Sequence, residues 1–245
     1  MIAFAYTRFE FVRMFRNPRF LIFSIGFPLI LFYAIAAPNR NVRSFNGSGI
    51  SFPLYYMVGL AAFGTMAGMI ATGARIANER TTGWTRQLRI TPLTTRAYFR
   101  AKILTAYVTA LLTIALLYIA GVSLGVSMSA GDWLEMTGLI LIALLPFAAL
   151  GIFLGHLVTT DSMGPAIGGG TSLFAFLGGT WFPIAGHGFL HDLGQVLPSY
   201  WLVQAAHLPA GGHPWHAMAW IVIAVWTGVL SLGAAFAYRR DTKRV

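Results

Sequence analysis

A chain of 245 residues with 57% hydrophobic and only 10% charged side chains cannot cover its own surface in water, since soluble domains carry about 25% charged residues. With a mean hydropathy of +0.69, lipid must do part of the covering. The absence of cysteine excludes disulfides, thiolate metal sites and cysteine nucleophiles; the net charge of +10, which in a soluble protein would point to nucleic acid, here speaks to orientation through its placement, and no nucleic-acid partner is expected.

Residues 1–19 open the chain. On a wheel of about 100° per residue, Phe4, Phe11, Val12, Met14 and Phe15 gather on one side of a helix over 3–16. Glu10, Arg13 and Arg16 gather on the other, and Arg8 intrudes on the apolar side. A basic amphipathic helix of this kind lies in the membrane interface, as an anchor or as a lever on the spans. Asn17-Pro18 ends it. Six apolar runs follow at 20–37, 53–74, 103–128, 138–158, 164–182 and 214–238, each about long enough to cross a bilayer; the fifth is the shortest and is rich in glycine. No strand-like alternation accompanies them, and open strands cannot span lipid with unpaired backbone groups. Ala34-Ile35-Ala36 has the form of a signal-peptide cleavage site, but the basic segment before it is long and has its own helical pattern. The expected fold is an all-α membrane protein, one domain over 1–245, with six transmembrane helices.

Basic residues set the orientation. Arg8, Arg13, Arg16 and Arg19 precede the first run. Arg75, Arg80, Arg86, Arg89, Arg96, Arg100 and Lys102 lie between the second and third, and Arg239, Arg240, Lys243 and Arg244 follow the sixth. Six crossings bring all three groups to one side, which the positive-inside rule makes the cytoplasm; an odd number would split them. Both termini are therefore expected in the cytoplasm of a multi-pass protein of the cell (inner) membrane, with Arg40 and Arg43 outside.

The runs hold few ionisable groups: His156 near the end of the fourth, Asp161 in the turn after it, and Arg75 closing the second. The intramembrane carboxylates and histidines that mark ion-coupled transporters are missing. A phosphate-binding loop needs Gly-Lys before Ser or Thr, and neither Lys102 nor Lys243 follows a glycine. No catalytic residue and no cofactor is expected in this chain, so energy for active transport has to come from a partner. The natural docking surface is 75–102. There Glu79-Arg80-Thr81-Thr82-Gly83-Trp84-Thr85-Arg86-Gln87-Leu88-Arg89 spells a short helix stopped near Pro92, with the Arg and large aromatic that interfaces favour. A solvated loop with Trp84 at the headgroups is the plain alternative.

Residues 183–213 are apolar and aromatic yet too broken to span. They are expected as short re-entrant or interfacial helices on the outer side, a lid over an exit path or a simple belt. His187 and His191 share the i, i+4 spacing that fits zinc on a helix, but Gly188 weakens that helix, so with His207, His213 and His216 they read as loop histidines and no metal site is expected. Gly168-Gly169-Gly170 and Gly178-Gly179 give small faces for close helix packing or a subunit contact. Phe63, Met66, Met69, Phe174 and Phe176 are candidate lining for a substrate path, since aromatic and Met side chains suit greasy, variable ligands; each serves equally in helix packing.

Taken in order, Glu79-Arg80, Gly83, Leu88 and Pro92 followed by Lys102, then Phe182-Pro183 and Leu197-Pro198-Ser199-Tyr200-Trp201, resemble the ABC-2 type permease family of ABC exporters. Trp84 stands where that family usually has Thr, and Gly186-His187-Gly188 where it often has Leu-Pro. The resemblance implies an N-terminal interfacial helix, a cytoplasmic coupling helix at about 78–89 and two short external helices before the last span. It also implies two permease subunits, alike or different, and two ABC ATPase subunits that carry the ATP and Mg. Glu79, Arg80, Gly83, Trp84, Arg86, Leu88 and Pro92 are then the ATPase-coupling residues, and Trp181, Phe182, Pro183, Pro198, Tyr200 and Trp201 the external gate. The implied substrates are drugs, lipids or polysaccharides, with the drug- and antibiotic-export branch nearest in look. Two other classes stay open: an ATP-independent channel or structural membrane protein, and an intramembrane enzyme built on His156 and Asp161.

Overall fold

The computed structural model describes residues 2–45, 49–182, 184, 187–208 and 215–243. Among these the chain is helical throughout and contains no strand. The elements are α1 (Ile2–Phe15), α2 (Pro18–Leu21), a π-helical turn (Ile22–Gly26), α3 (Phe27–Ala36), α4 (Phe52–Thr81), α5 (Trp84–Arg89), α6 (Thr95–Ser123), α7 (Ala130–Ala143), α8 (Leu145–Leu157), α9 (Thr160–Leu177), α10 (Phe189–Gln195), α11 (Pro198–His207) and α12 (Ala217–Lys243).

Among the described residues four stretches are long and apolar enough to cross a membrane: Phe52–Thr81, Thr95–Ser123, Ala130–Leu157 and Ala217–Asp241. The other two apolar runs differ for local reasons. The first runs as helix without a break over 18–36 through the π turn, and Ser24–Ala36 within it is a shorter apolar helix. The fifth, α9, carries Pro165 and the glycines 164, 168, 169 and 170 within its eighteen residues, which thins its apolar content.

Helix starts follow the sequence. Pro28, Pro53, Pro146 and Pro198 occupy first-turn positions of α3, α4, α8 and α11, where a missing N–H costs nothing. Ser129 and Asp132 form a reciprocal capping box at α7, and Thr94 caps α6 by accepting from the Ala97 N–H at 3.3 Å.

α4 is the axis of the bundle: 72% of its most apolar stretch is buried within the chain, against 28% for α12. Phe32, Met57, Leu60, Met66, Met69, Ile114, Leu117 and Phe147 fill the core around it. α8 reaches α4 through glycine. A Cβ on Gly151 would sit 2.6 Å from the Met69 carbonyl oxygen, and one on Gly155 2.8 Å from that of Gly73, so the two backbones touch where small residues allow it.

Side-chain contacts define two ends. At one, α1 joins the C-terminal ends of α4, α8 and α12 and the N-terminal ends of α6 and α9, through Glu79 to Lys102, Arg80 to Asp241 and Thr81 to Thr160. At the other, Tyr33 of α3 meets Ser123 of α6 at 2.9 Å, and Tyr55 of α4 packs on His207 of α11 with ring centroids 4.7 Å apart.

One expectation is corrected at α1. The wheel placed Glu10 on the polar side and Phe4, Phe11, Val12, Met14 and Phe15 on the apolar side that faces the membrane interface. In the structure Tyr6, Glu10 and Met14 are the buried stripe, while Phe4, Val12 and Phe15 are exposed. These three buried residues share i, i+4, i+8 spacing and one helix face. A carboxylate can lead that face because cations from other helices meet it.

Candidate coupling site at the basic end

Glu79, near the C-terminal end of α4, has no solvent exposure; nor have Glu10 of α1 and Lys102 of α6. Lys102 Nζ lies 2.5 Å from Glu79 Oε1 and 2.9 Å from Glu10 Oε2. The Arg13 guanidinium donates to Glu79 and lies 3.8 Å from Glu10. Tyr98 Oη donates to Glu79 Oε2 at 2.7 Å, and Tyr6 Oη to Glu10 Oε1 at 2.9 Å. Two carboxylates and two cations from three helices thus neutralise one another, with both phenols absorbing remaining lone pairs. Desolvating such charges is costly, so an intact cluster adds little net stability. Removing one member strands the others and costs about 3–5 kcal/mol. Burial pushes the Glu10 carboxyl up, but Lys102 and the Tyr6 hydrogen bond outweigh it and hold the group below its ordinary range. One turn earlier on α4, Arg75 donates to Thr105 Oγ1 at 3.3 Å and stands 5.1 Å over the Phe20 ring, tying α2 to the same node.

Arg80, the neighbour of Glu79, serves a second node. Its Nε is 2.8 Å from Asp241 Oδ2 of α12 and its Nη1 donates to the Gly155 carbonyl at 3.0 Å. His156 Nδ1 lies 3.2 Å from the same Asp241 oxygen. The Glu79-Arg80 pair therefore sends one charge to α1 and α6 and the next to α8 and α12. Both charges point into the chain.

Beyond Thr81 the chain turns through Gly83, whose φ of +73° is a left-handed conformation that side chains resist. It then enters α5. The inner side of α5 faces back: Trp84 stacks on Phe9 of α1 with centroids 5.9 Å apart, and Leu88 packs against the Tyr6, Tyr98 and Ala101 cluster. Its outer side is open, with Arg86, Gln87 and Pro92 exposed and Ile90 88% exposed. Of the seven expected coupling residues, Glu79 and Arg80 are internal ties, Gly83 makes the turn, Trp84 and Leu88 seat the helix, and Arg86 and Pro92 face outward. Sequence reasoning missed Arg13 as a partner of Glu79 and Glu10 as the second carboxylate on Lys102. The available signal was a lone Glu at i+4 from Tyr6 and i−4 from Met14 in a segment otherwise basic.

At the opposite end the expected gate residues are mostly packed together. Trp181 meets Phe63 with centroids 5.3 Å apart; Pro198, Tyr200 and Trp201 are buried, and Phe182 is exposed. Pro183 and His213 lie outside the described residues. Trp201 Nε1 donates to the Gln195 carbonyl and Trp226 Nε1 to that of Val196, each at 2.8 Å. His191 lies 2.8 Å from Gln195 Nε2 and edge-on to Tyr200, whereas His187 is exposed. The pathway candidates are not gathered: Met66 and Met69 are enclosed in the core, Phe174 meets Phe147 edge-on, and Phe176 faces outward. His156 pairs with Asp241, not with Asp161, which is exposed at the first turn of α9.

A family model described as "ABC-2 family transporter protein" matches residues 27–237, from α3 nearly to the end of α12. The protein named "Putative transport permease YvfS" of Bacillus subtilis (strain 168) is 30% identical over 211 residues, covering 84% of each chain.

Proposed function

This chain belongs to the ABC-2 transporter family, a family of multi-pass permeases that implies association with ABC ATPase components, and we propose that it is the membrane subunit of an ATP-driven exporter. Six crossings, counting α2–α3 and α9, put the basic end in the cytoplasm, as the grouping of arginines requires. Two such subunits, alike or different, pair with two ATPases that bind the ATP and Mg. The observation that carries this reading is the α4–Gly83–α5 segment. Its inner face is bound to α1 and α6 through Glu79, Trp84 and Leu88, and its outer face presents Arg86, Gln87 and the exposed Ile90. A push on that outer face passes to α4, the most buried helix of the bundle, without a slack joint. The cargo is hydrophobic or amphipathic, a drug, antibiotic or lipid-like molecule, and leaves through a gate around Trp181, Phe182, Tyr200 and Trp201.

The test is co-purification from native membranes in mild detergent. A stoichiometric ABC ATPase is expected with the tagged wild type. Arg86→Glu with Ile90→Glu should reduce the retained ATPase about tenfold or more, since charge reversal and loss of a central apolar anchor each cost about 1–3 kcal/mol at an interface, while the thermal midpoint of the permease stays unchanged. A folded permease that brings no ATPase, and passes solute in liposomes without ATP, would replace the exporter reading with a channel.

A further inference from the structure

Between α1 and the first turns of α6 lies an open groove of about 820 Å³, within the size range of ligand sites. Its α1 wall is one helix face: Phe4, Arg8 and Phe15 stand at i, i+4 and i+11. Its α6 wall is Arg100 and, one turn further along, Leu104. Phe4 is 77% exposed, Phe15 52% and Leu104 42%. Arg8, Arg16 and Arg100 line the groove, all three exposed, and no carboxylate lines it. The apolar residues of this face, which the wheel set toward the membrane interface, thus remain uncovered by the chain itself.

The groove is graded in depth. α6 begins at Thr95 and runs into a stretch apolar enough to span, so Leu104 lies about 6 Å deeper along the helix than Arg100. α1 runs alongside α6 in the same direction, with Tyr6 on Tyr98, Glu10 on Lys102 and Met14 on Thr109, so Arg8 shares the level of Arg100 while Phe15 and Leu104 lie deeper: cation before carbon, the order in which a bilayer leaflet arranges phosphate and acyl chain. We propose that this groove binds one anionic phospholipid of the cytoplasmic leaflet. Arg8 and Arg100 hold its phosphate, an acyl chain lies on Phe15 and Leu104, and Arg16 adds positive charge at the far end of the groove. The assignment rests on the proposed cytoplasmic position of the basic end. Its consequence is that lipid grips α1 from outside, on the face opposite the one that Glu10 anchors from inside.

The experiment uses the purified full-length transporter equilibrated with mixed micelles holding equal amounts of phosphatidylglycerol and phosphatidylcholine. Retained lipid is counted by native mass spectrometry. Each guanidinium near the headgroup level favours an anionic lipid by about fivefold, so wild type should retain phosphatidylglycerol over phosphatidylcholine by about tenfold or more. Arg8→Gln, Arg16→Gln and Arg100→Gln together should abolish that preference, and Arg239→Gln with Arg240→Gln, at the same end but away from the groove, should keep it. Equal retention of both lipids by wild type, or equal loss in both variants, overturns the proposal. Should the triple variant fail to fold, a photo-crosslinker at Phe4 (Phe4→p-benzoylphenylalanine) in the otherwise unaltered chain gives the answer. Lipid adducts support the site, and adducts to an ATPase make the groove a protein contact and overturn it. Selective lipid retention without a co-purifying ATPase would sink the exporter reading alone; an ATPase without lipid selectivity would sink this one alone.

Discussion

At the basic end Glu79 is gripped by Lys102, Arg13 and Tyr98 from two other helices. At the opposite end α11 is held by rings and indole N–H groups, Tyr55 on His207 and Trp201 on the Gln195 carbonyl. The contrast is one of tolerance. A buried ion cluster has one geometry in which every charge is answered, and partial loss leaves an unpaired charge in a poor solvent. Apolar burial of rings is non-directional and neutral, so its loss is graded by the area and contacts removed and strands no charge. On the proposed exporter reading, the end that takes a push gains from the first kind of fastening, and the end that opens for solute gains from the second.

The sharpest way to break this contrast is Lys102→Met. Glu10 and Glu79 would be left buried without their shared cation, and the expected loss is about 3–5 kcal/mol, seen as a large fall in the thermal midpoint of the detergent-solubilised protein. Adding Glu79→Gln and Glu10→Gln to it should recover part of that loss, and no recovery would mean that Lys102 acts through packing alone. Acid should reach the same node. Because the Glu10 carboxyl is held below its ordinary range when folded, its contribution is complete above about pH 4.3 and is lost as pH falls through the lower, folded value. The midpoint of wild type should therefore drop on acidification more steeply than that of Glu10→Gln; parallel curves would remove Glu10 from the cluster's energetics.

Smaller effects test the joint and the far end. Gly83→Ala forces a side chain into a left-handed turn and should cost about 1–2 kcal/mol, with a matching reduction in ATPase retained on co-purification. Normal retention would show that α5 is not the contact. Trp201→Phe keeps the ring but loses the N–H to Gln195, and should cost about 1 kcal/mol. A loss as large as that of Lys102→Met would erase the difference between the ends.

Helices were legible in the sequence because length and apolarity alone decide them: 53–74, 103–128, 138–158 and 214–238 each overlap a stretch fit to cross a membrane. The π turn inside the first run was not, because it adds one residue to a helix without changing its hydropathy. The α5 segment was visible through Gly83 and Pro92, whose backbone preferences are local. Pairing was not visible. Glu10 and Lys102 are far apart in sequence, and Glu79 looked like a surface group because isolated charge is read as exposed charge. The wheel for α1 set Glu10 on the outer polar side, since a wheel ranks faces by greasiness and has no knowledge of a waiting counter-ion. Tertiary electrostatics, unlike periodicity, leaves no mark at short range.

The clamp on α1 also has a timetable. Glu10 leaves the ribosome well before its cation, because 92 residues separate it from Lys102. At about 5–20 residues per second the first helix waits roughly 5–20 s before α6 arrives. During that interval its carboxylate has Tyr6 and Arg13 of its own helix beside it, and exposed side chains such as Phe4, Val12 and Phe15 have the membrane surface to rest on. The face that stays uncovered in the finished protein is thus the one that parks the nascent helix at the bilayer, oriented for the lysine that locks it.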